Sequence, residues 1–118
     1  KIDLHDRGEP RRTWLHADDT ARAIITIIDA GVTNEIYNIS GNAEMPNQDV
    51  IKKILKNYFD QTAADNWEDY VVESGRVGQD VRYAIDDSKL KALGWQPLTD
   101  FDQELIQVIE YYKKHFIW

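Results

Sequence analysis

The sequence contains no cysteine, which excludes disulfide bonds, thiol catalysis and cysteine-bound zinc and fits a reducing compartment. Positive charge is also scarce, since 14 Lys and Arg residues against 21 Asp and Glu residues leave a net charge of −7. This balance argues against the broad basic face that nucleic-acid binding requires. One or two arginines could still hold a small anionic ligand.

Long hydrophobic runs are missing as well. The longest apolar stretch, residues 23–28, is interrupted by Thr26 and is too short to span a bilayer. Residues 1–12 are charged throughout, so we expect no signal peptide. The content of 42% apolar and 11% aromatic residues over 118 positions is too rich for a disordered chain. We therefore expect a single globular domain that is soluble and cytoplasmic.

The spacing of apolar residues and the residues at segment ends predict three or four helices. The first is expected to be capped by Asp18 or Asp19 and to end at Gly31 in the left-handed conformation. Because it is apolar on almost every face, we expect it to be buried on several sides. The other helices are predicted at residues 47–59 and from Phe101 to about Phe116, with a short helix between them. That short helix is capped by Asp86 or Asp87, runs through Leu90 and Leu93, and ends at Gly94.

Short strands are predicted between these helices. Residues 35–40 alternate in polarity and stop at Gly41, which is typical of a strand with one buried face. Residues 70–72 predict a second strand and residues 82–85 a brief third one, while residues 62–68 are expected to be a polar linker. The sequence therefore predicts an α+β fold.

Residues 74–79 predict a loop whose backbone can approach a ligand closely, because Gly75 and Gly78 lie three positions apart. The pair is not a dinucleotide-binding fingerprint, since Val81 stands where its third glycine would be. Arg76 lies between the glycines, and a guanidinium matches the oxygens of a phosphate bidentately. A solvated arginine is an equally good interpretation.

A second pair of arginines, Arg11 and Arg12, precedes Trp14. These residues favour either an ordinary basic turn beside a buried indole or a second phosphate clamp. The paired carboxylates Asp18 with Asp19 and Asp86 with Asp87 are better explained by helix capping than by acid–base catalysis. Three histidines lack the spacing of a metal site: His5, His16 and His115.

Four segments carry a resemblance to a known family: RTWLHADDTARAI (residues 12–24), YNISG (37–41), GRVGQDVRYAID (75–86) and LGWQP (93–97). They resemble the C-terminal substrate-binding part of the nucleotide-sugar-modifying extended short-chain dehydrogenases. Within that family, residues 80–86 favour the dTDP-glucose 4,6-dehydratases. The agreement runs from about Gly8 to Tyr112.

The resemblance implies substrate contacts at Arg12, Asn47, Arg76, Val77, Gly78 and Gln79. In the family, the residue at the position of Arg12 contacts the nucleotide diphosphate and the one at Asn47 contacts the nucleotide. Residues 76–79 correspond to a loop around the phosphates and nucleoside. Val77 and Gln79 replace the family's proline and histidine. Glutamine can donate and accept hydrogen bonds but carries no charge, so the base and sugar preference stays open.

The family's chemistry also requires NAD, a glycine-rich turn to hold it and a Tyr-x-x-x-Lys pair. This sequence lacks that turn, and none of its six tyrosines has a lysine four positions on. We therefore expect residues 1–118 to be the C-terminal nucleotide-sugar-binding domain of a longer, homodimeric enzyme. Its own N-terminal Rossmann domain would hold NAD, and neither a catalytic residue nor a metal site is expected here.

Three alternatives remain open from the sequence. The same domain could belong to a UDP-sugar epimerase or decarboxylase, which share the fold and the phosphate clamp. The chain could also be a non-catalytic nucleotide-sugar-binding module. The third alternative is a helical interaction domain that uses its acidic surface.

Overall fold

The computed structural model describes residues 1–75 and 77–116. These residues form four strands and five α-helices: β1 (Ile2–Leu4), β2 (Arg11–Trp14), α1 (Ala17–Ala30), β3 (Ala43–Pro46), α2 (Asn47–Tyr58), α3 (Gln61–Asp65), β4 (Val71–Glu73), α4 (Ser88–Lys91) and α5 (Phe101–His115). Two 3₁₀ turns are added, Asp6–Gly8 and Trp67–Tyr70. The α+β class is confirmed. No helix among these residues has the length and apolar character needed to cross a membrane.

The strands form two separate two-stranded sheets. β1 pairs with β4 in parallel, with Ile2 opposite Val71 and Leu4 opposite Glu73, and β2 pairs with β3. The chain divides into two compact units. Unit 1 comprises the described residues of 1–12, 45–83 and 102–118, and unit 2 comprises residues 13–44 and 84–101.

Unit 1 is built around α2. Its apolar residues recur every three or four positions, so one face is buried, and this face packs into a cluster with β1 and α3: Leu4, Ile51, Leu55 and Ala63. The predicted linker at residues 62–68 is wrong at its start, because α3 lies there. The Asp60 carboxylate accepts a hydrogen bond from the Ala63 N–H at 2.9 Å and caps this short helix.

Unit 2 is built around Ala23 of α1, Leu90 of α4 and Trp95, which form its buried cluster. The predicted first helix exists, but its ends differ from the prediction. The His16 side chain caps it by accepting a hydrogen bond from the Asp18 N–H at 3.1 Å. Gly31 ends it at a φ of −75°, which is not the left-handed conformation.

The expectation that α1 is buried on several sides is wrong for this chain. Ile24, Ile25 and Ile28 are exposed by 48%, 57% and 75%. Ile28 lies four positions after Ile24 and three after Ile25, so the three side chains form one stripe. Ala23 points the other way, into the buried cluster of unit 2. The stripe is apolar, but no described residue of unit 2 covers it.

Asp19 is fully buried and joins α1 to the segment before α5. Its carboxylate accepts hydrogen bonds from the Leu98 N–H at 3.0 Å, from the Thr99 N–H at 3.2 Å and from the Thr99 hydroxyl, and it pairs with Arg22. Burial raises the pKa of Asp19, but these hydrogen bonds outweigh it and leave the pKa well below its usual range. The capping role predicted for Asp19 is therefore wrong.

Of the second carboxylate pair, only Asp86 bonds the start of a helix, because Asp87, at the N-cap position itself, makes no capping hydrogen bond with its side chain. Asp86 accepts a hydrogen bond from the Ser88 N–H at 2.9 Å, at the start of α4. That bond, followed by the Ser88 side chain, lowers the pKa of Asp86. Gly94, with a φ of +94°, lies just beyond this helix in the left-handed conformation that the sequence predicted.

The predicted strand at residues 35–40 is wrong, although its alternation is real. Tyr37 and Ile39 pack against the cluster of unit 2, whereas Ile36 is 82% exposed. A strand also requires a neighbour with which to exchange backbone hydrogen bonds, and the described residues supply none for this segment. Residues 82–85 likewise form only an isolated bridge, between Arg82 and Arg11.

Candidate functional site

The loop after β4 is accessible, as its two glycines predict. Val77 and Gly78 are exposed. Gly78 has a φ of +77°, and apart from its two chain neighbours no described residue has an atom within 4 Å of the position of a Cβ. A side chain at Gly78 would be strained by the backbone rather than by lack of space. Arg76, the predicted phosphate ligand of this loop, lies outside the described residues.

Arg12 lies against the end of this loop. Its Nη2 donates a hydrogen bond to the Asp80 carbonyl at 3.2 Å, and its Nη1 donates to the Arg11 carbonyl at 2.7 Å. The Arg12 Cζ also lies 4.5 Å from the centroid of the Tyr83 ring, a cation–π contact. The guanidinium is thus oriented by its neighbour Arg11 and by Asp80 and Tyr83, which lie at least 68 positions further along the chain.

The backbone of β2 holds the returning segment in place. The Arg11 N–H donates to the Val81 carbonyl at 2.7 Å, and Arg11 forms a parallel bridge with Arg82. This pairing brings the residues that follow Gln79 alongside β2. It explains why Arg12 and the loop meet although they are far apart in sequence.

Asn47 is the first residue of α2 and is half-buried. Its N–H donates to the Pro10 carbonyl at 3.0 Å, so the start of α2 is attached two positions before Arg12. Gly8, with a φ of +72°, packs against the same helix end, where a Cβ would lie 2.8 Å from the Gln48 nitrogen. All of these residues belong to unit 1.

Gln79 offers a hydrogen-bond acceptor. Its side-chain oxygen is inaccessible to solvent and has no hydrogen-bond partner within the described part of the chain. A buried acceptor without a donor costs about 1–3 kcal/mol. Because protein atoms cover this oxygen, a ligand N–H or O–H can reach it only after the side chain turns outward.

Sequence reasoning did not identify Tyr83 and Asp80 as partners of Arg12. Both lie in the RYAID-containing segment, but a ring that stacks on a guanidinium has no local sequence pattern. Trp14, expected to be buried, is half-exposed and packs edge-on against Phe101 with the ring centroids 6.3 Å apart. Over residues 1–75 and 77–116, no group of three or more His, Asp or Glu side chains could hold a metal ion.

A family model described as GDP-mannose 4,6 dehydratase matches residues 2–108. The chain belongs to this family. Among curated relatives, dTDP-glucose 4,6-dehydratase of Escherichia coli is 38% identical over 99% of this chain, and dTDP-D-glucose 4,6-dehydratase of Mus musculus is 33% identical over 98%. The chain spans about a third of the length of these relatives, 34% and 33% respectively.

Solved structures of this family have the same fold. The dTDP-glucose 4,6-dehydratase of Bacillus anthracis in complex with NAD matches all of this chain and 36% of its own, with a TM-score of 0.83 and 31% identity. The enzyme of that name from Streptomyces venezuelae, with NAD and TYD bound, covers 98% of this chain and 34% of its own, with a TM-score of 0.84 and 27% identity. The UDP-glucose 4-epimerase of Thermotoga maritima covers 99% of this chain and 36% of its own, with a TM-score of 0.78. At 24% identity, this similarity shows the fold alone.

Proposed function

We propose that this chain supplies the nucleotide-sugar contacts of an NAD-dependent dTDP-glucose 4,6-dehydratase. The observation that carries the proposal is the position of Arg12, whose guanidinium is bonded to the end of the loop that contains Arg76 in sequence. Two guanidinium groups can bind the oxygens of one diphosphate through charge-assisted hydrogen bonds, which are stronger than neutral ones. The similarity to dTDP-glucose 4,6-dehydratases supports dTDP as the nucleotide of the substrate.

The proposed substrate contacts are Arg12, Asn47, Arg76, Val77, Gly78 and Gln79. Arg12 and Arg76 bind the diphosphate, and the exposed backbone at Gly78 lets the phosphates approach the loop. Gln79 contacts the nucleoside once its side chain, whose oxygen is covered and has no partner among the described residues, turns toward the ligand. In the family's reaction, NAD would accept a hydride from the fourth carbon of the sugar and return it after water is eliminated across the fifth and sixth carbons. This chain's part is binding and orienting the nucleotide.

The residues of this chain do not fit NAD itself. A dinucleotide's pyrophosphate is held by a glycine-rich turn that opens a helix, whereas the described residues from 77 to 87 form no helix after Gly75 and Gly78. We propose that NAD and the catalytic residues belong to the two-thirds of the relatives' length that this chain does not cover. A cytoplasmic location and a homodimeric full-length enzyme remain part of the same proposal.

A Rossmann domain of the full-length protein is the proposed partner of the exposed stripe on α1. Exposing a stripe of three isoleucines to water is unfavourable. The free energy falls when another apolar surface covers the stripe.

Ile28→Asp tests this partner. If the stripe is covered in the full-length protein, the substitution should lower its unfolding free energy by about 2 kcal/mol or more, because it buries an unpaired charge. Thr33→Asp places the same charge at an exposed position and should change stability by less than about 0.5 kcal/mol. Both are measured by thermal and denaturant unfolding. Equal, small effects would show that the stripe faces solvent.

The nucleotide is tested by titrating the full-length protein with dTDP, UDP and GDP. We expect dTDP to bind most tightly and to raise the melting temperature most, since a ligand at about 100 times its Kd adds about 2.7 kcal/mol to the stability of the folded state. Tighter binding of UDP would favour a UDP-sugar epimerase or decarboxylase. A melting temperature unaffected by all three nucleotides would contradict the proposal.

A further inference from the structure

His5 connects the start of the chain to the beginning of the candidate phosphate loop. It follows β1 directly, and its Nδ1 lies within hydrogen-bond distance of the Ser74 carbonyl oxygen and 3.1 Å from the Ser74 hydroxyl. Ser74 is the first residue after β4 and lies two positions before Arg76. His5 and Ser74 are half-buried and are separated by 69 positions in the sequence.

Three neighbouring contacts hold the same junction. The Ser74 N–H donates to the Leu4 carbonyl at 2.9 Å, and Leu4 is paired with Glu73 in the parallel sheet. The Arg7 N–H donates to the Glu73 carboxylate at 2.9 Å. The exit of β4 into the loop is therefore fixed by residues 4–7, with the His5 ring as the side chain that reaches Ser74.

The other end of the loop is held by the same N-terminal segment. Arg11 pairs with Val81 and Arg82 through its backbone, and Arg12 bonds to the Asp80 carbonyl. Residues 1–12 thus attach the loop at both of its ends. A loop with fixed ends has fewer conformations to lose when it binds a ligand.

We propose that His5 is a positioning residue for diphosphate binding: by donating its Nδ1–H to the Ser74 carbonyl, it sets the direction in which the loop that contains Arg76 leaves β4. This inference rests on the proposed function, because it assumes that the loop binds phosphate. His5 itself touches no substrate in this proposal. Its effect reaches the ligand through Ser74, the residue with which the loop begins.

The test uses three substitutions of His5 in the full-length protein. His5→Ala and His5→Phe remove the donor, and His5→Phe keeps a ring of similar size. His5→Asn retains a donor, because the amide nitrogen of asparagine is separated from Cβ by the same number of bonds as Nδ1 of histidine. We expect the alanine and phenylalanine variants to bind dTDP about fivefold more weakly, and the asparagine variant to bind within about twofold of the wild type.

A second readout separates positioning from general stability. If the loop leaves β4 in a different direction, the binding of dTDP should weaken more than the binding of dTMP, since dTMP lacks the second phosphate. We also expect Ser74→Ala to bind like the wild type, because it keeps the carbonyl that His5 contacts. If His5→Phe and His5→Asn weaken dTDP equally, or if His5→Ala weakens dTDP and dTMP equally, the inference is wrong.

Arg12→Ala distinguishes this inference from the proposed function. If Arg12→Ala weakens dTDP binding and the donor-free His5 variants do not, only the positioning role is overturned. If the wild-type protein does not bind dTDP, both the proposed function and the role of His5 are overturned.

Discussion

Arg12→Ala in the full-length protein is expected to weaken dTDP binding by about 1.5–3 kcal/mol, roughly a ten- to hundredfold increase in Kd. The guanidinium is held by the Asp80 carbonyl and the Tyr83 ring, so it is oriented before the ligand binds and loses little side-chain entropy on binding. Removing it takes away charge-assisted hydrogen bonds to the diphosphate. Isothermal titration at one fixed ionic strength measures the loss.

Arg76→Ala should have an effect of the same size, since the proposal gives both arginines the same ligand. Arg12→Lys is the matched control for charge: it keeps the cation but loses the planar fork, and should recover only part of the affinity. Lys114→Ala removes an exposed cation outside the site and should leave Kd unchanged. Wild-type affinity in both Arg12→Ala and Arg76→Ala would refute the assignment of a diphosphate site.

Asp19→Asn is expected to lower the free energy of unfolding by about 3 kcal/mol at neutral pH. The buried carboxylate accepts from Leu98 and Thr99 and pairs with Arg22. An amide puts an N–H group among these donors and leaves at least one of them unsatisfied, which costs about 1–3 kcal/mol, while Arg22 loses its charged partner. Chemical denaturation compares the variant with the wild type.

The pH dependence of that difference follows from the low pKa of Asp19 in the folded state. In the unfolded chain, an aspartate has a pKa of about 3.9, so the unfolded state binds a proton before the folded state does. The stabilisation by Asp19 is therefore present above about pH 4 and is lost as the pH falls toward the folded-state pKa. The difference in unfolding free energy between the wild type and Asp19→Asn should therefore become smaller below about pH 4.

Asp18→Asn is the matched control, because the same substitution is made at the adjacent residue, whose side chain is 85% exposed. It should change stability by less than about 0.5 kcal/mol. A loss in Asp18→Asn as large as that in Asp19→Asn would show that the effect comes from the start of α1 and not from the buried network.

The long helices and the accessible loop could be predicted from the sequence. In α1, α2 and α5 the signal is the spacing of apolar residues within a single segment, and each of these helices begins within about two residues of its predicted start. Gly75 and Gly78 marked the loop for a similar reason, since the freedom of glycine is a property of one residue. Arg12 was identified through the family resemblance and lies against residue 80, while its role in a phosphate clamp stays a prediction.

The chain's sequence by itself determined the α+β class, the positions of its main helices, the absence of thiol chemistry and the residues available to bind an anion. The tertiary structure alone decided that Asp19 is a buried acceptor rather than a cap, that residues 35–40 form no strand, and that His5 and Tyr83 lie beside the candidate site. The physical reason is distance along the chain. Helix periodicity and turns depend on neighbouring residues, whereas the contacts of Asp19 with Thr99 and of His5 with Ser74 join residues 80 and 69 positions apart.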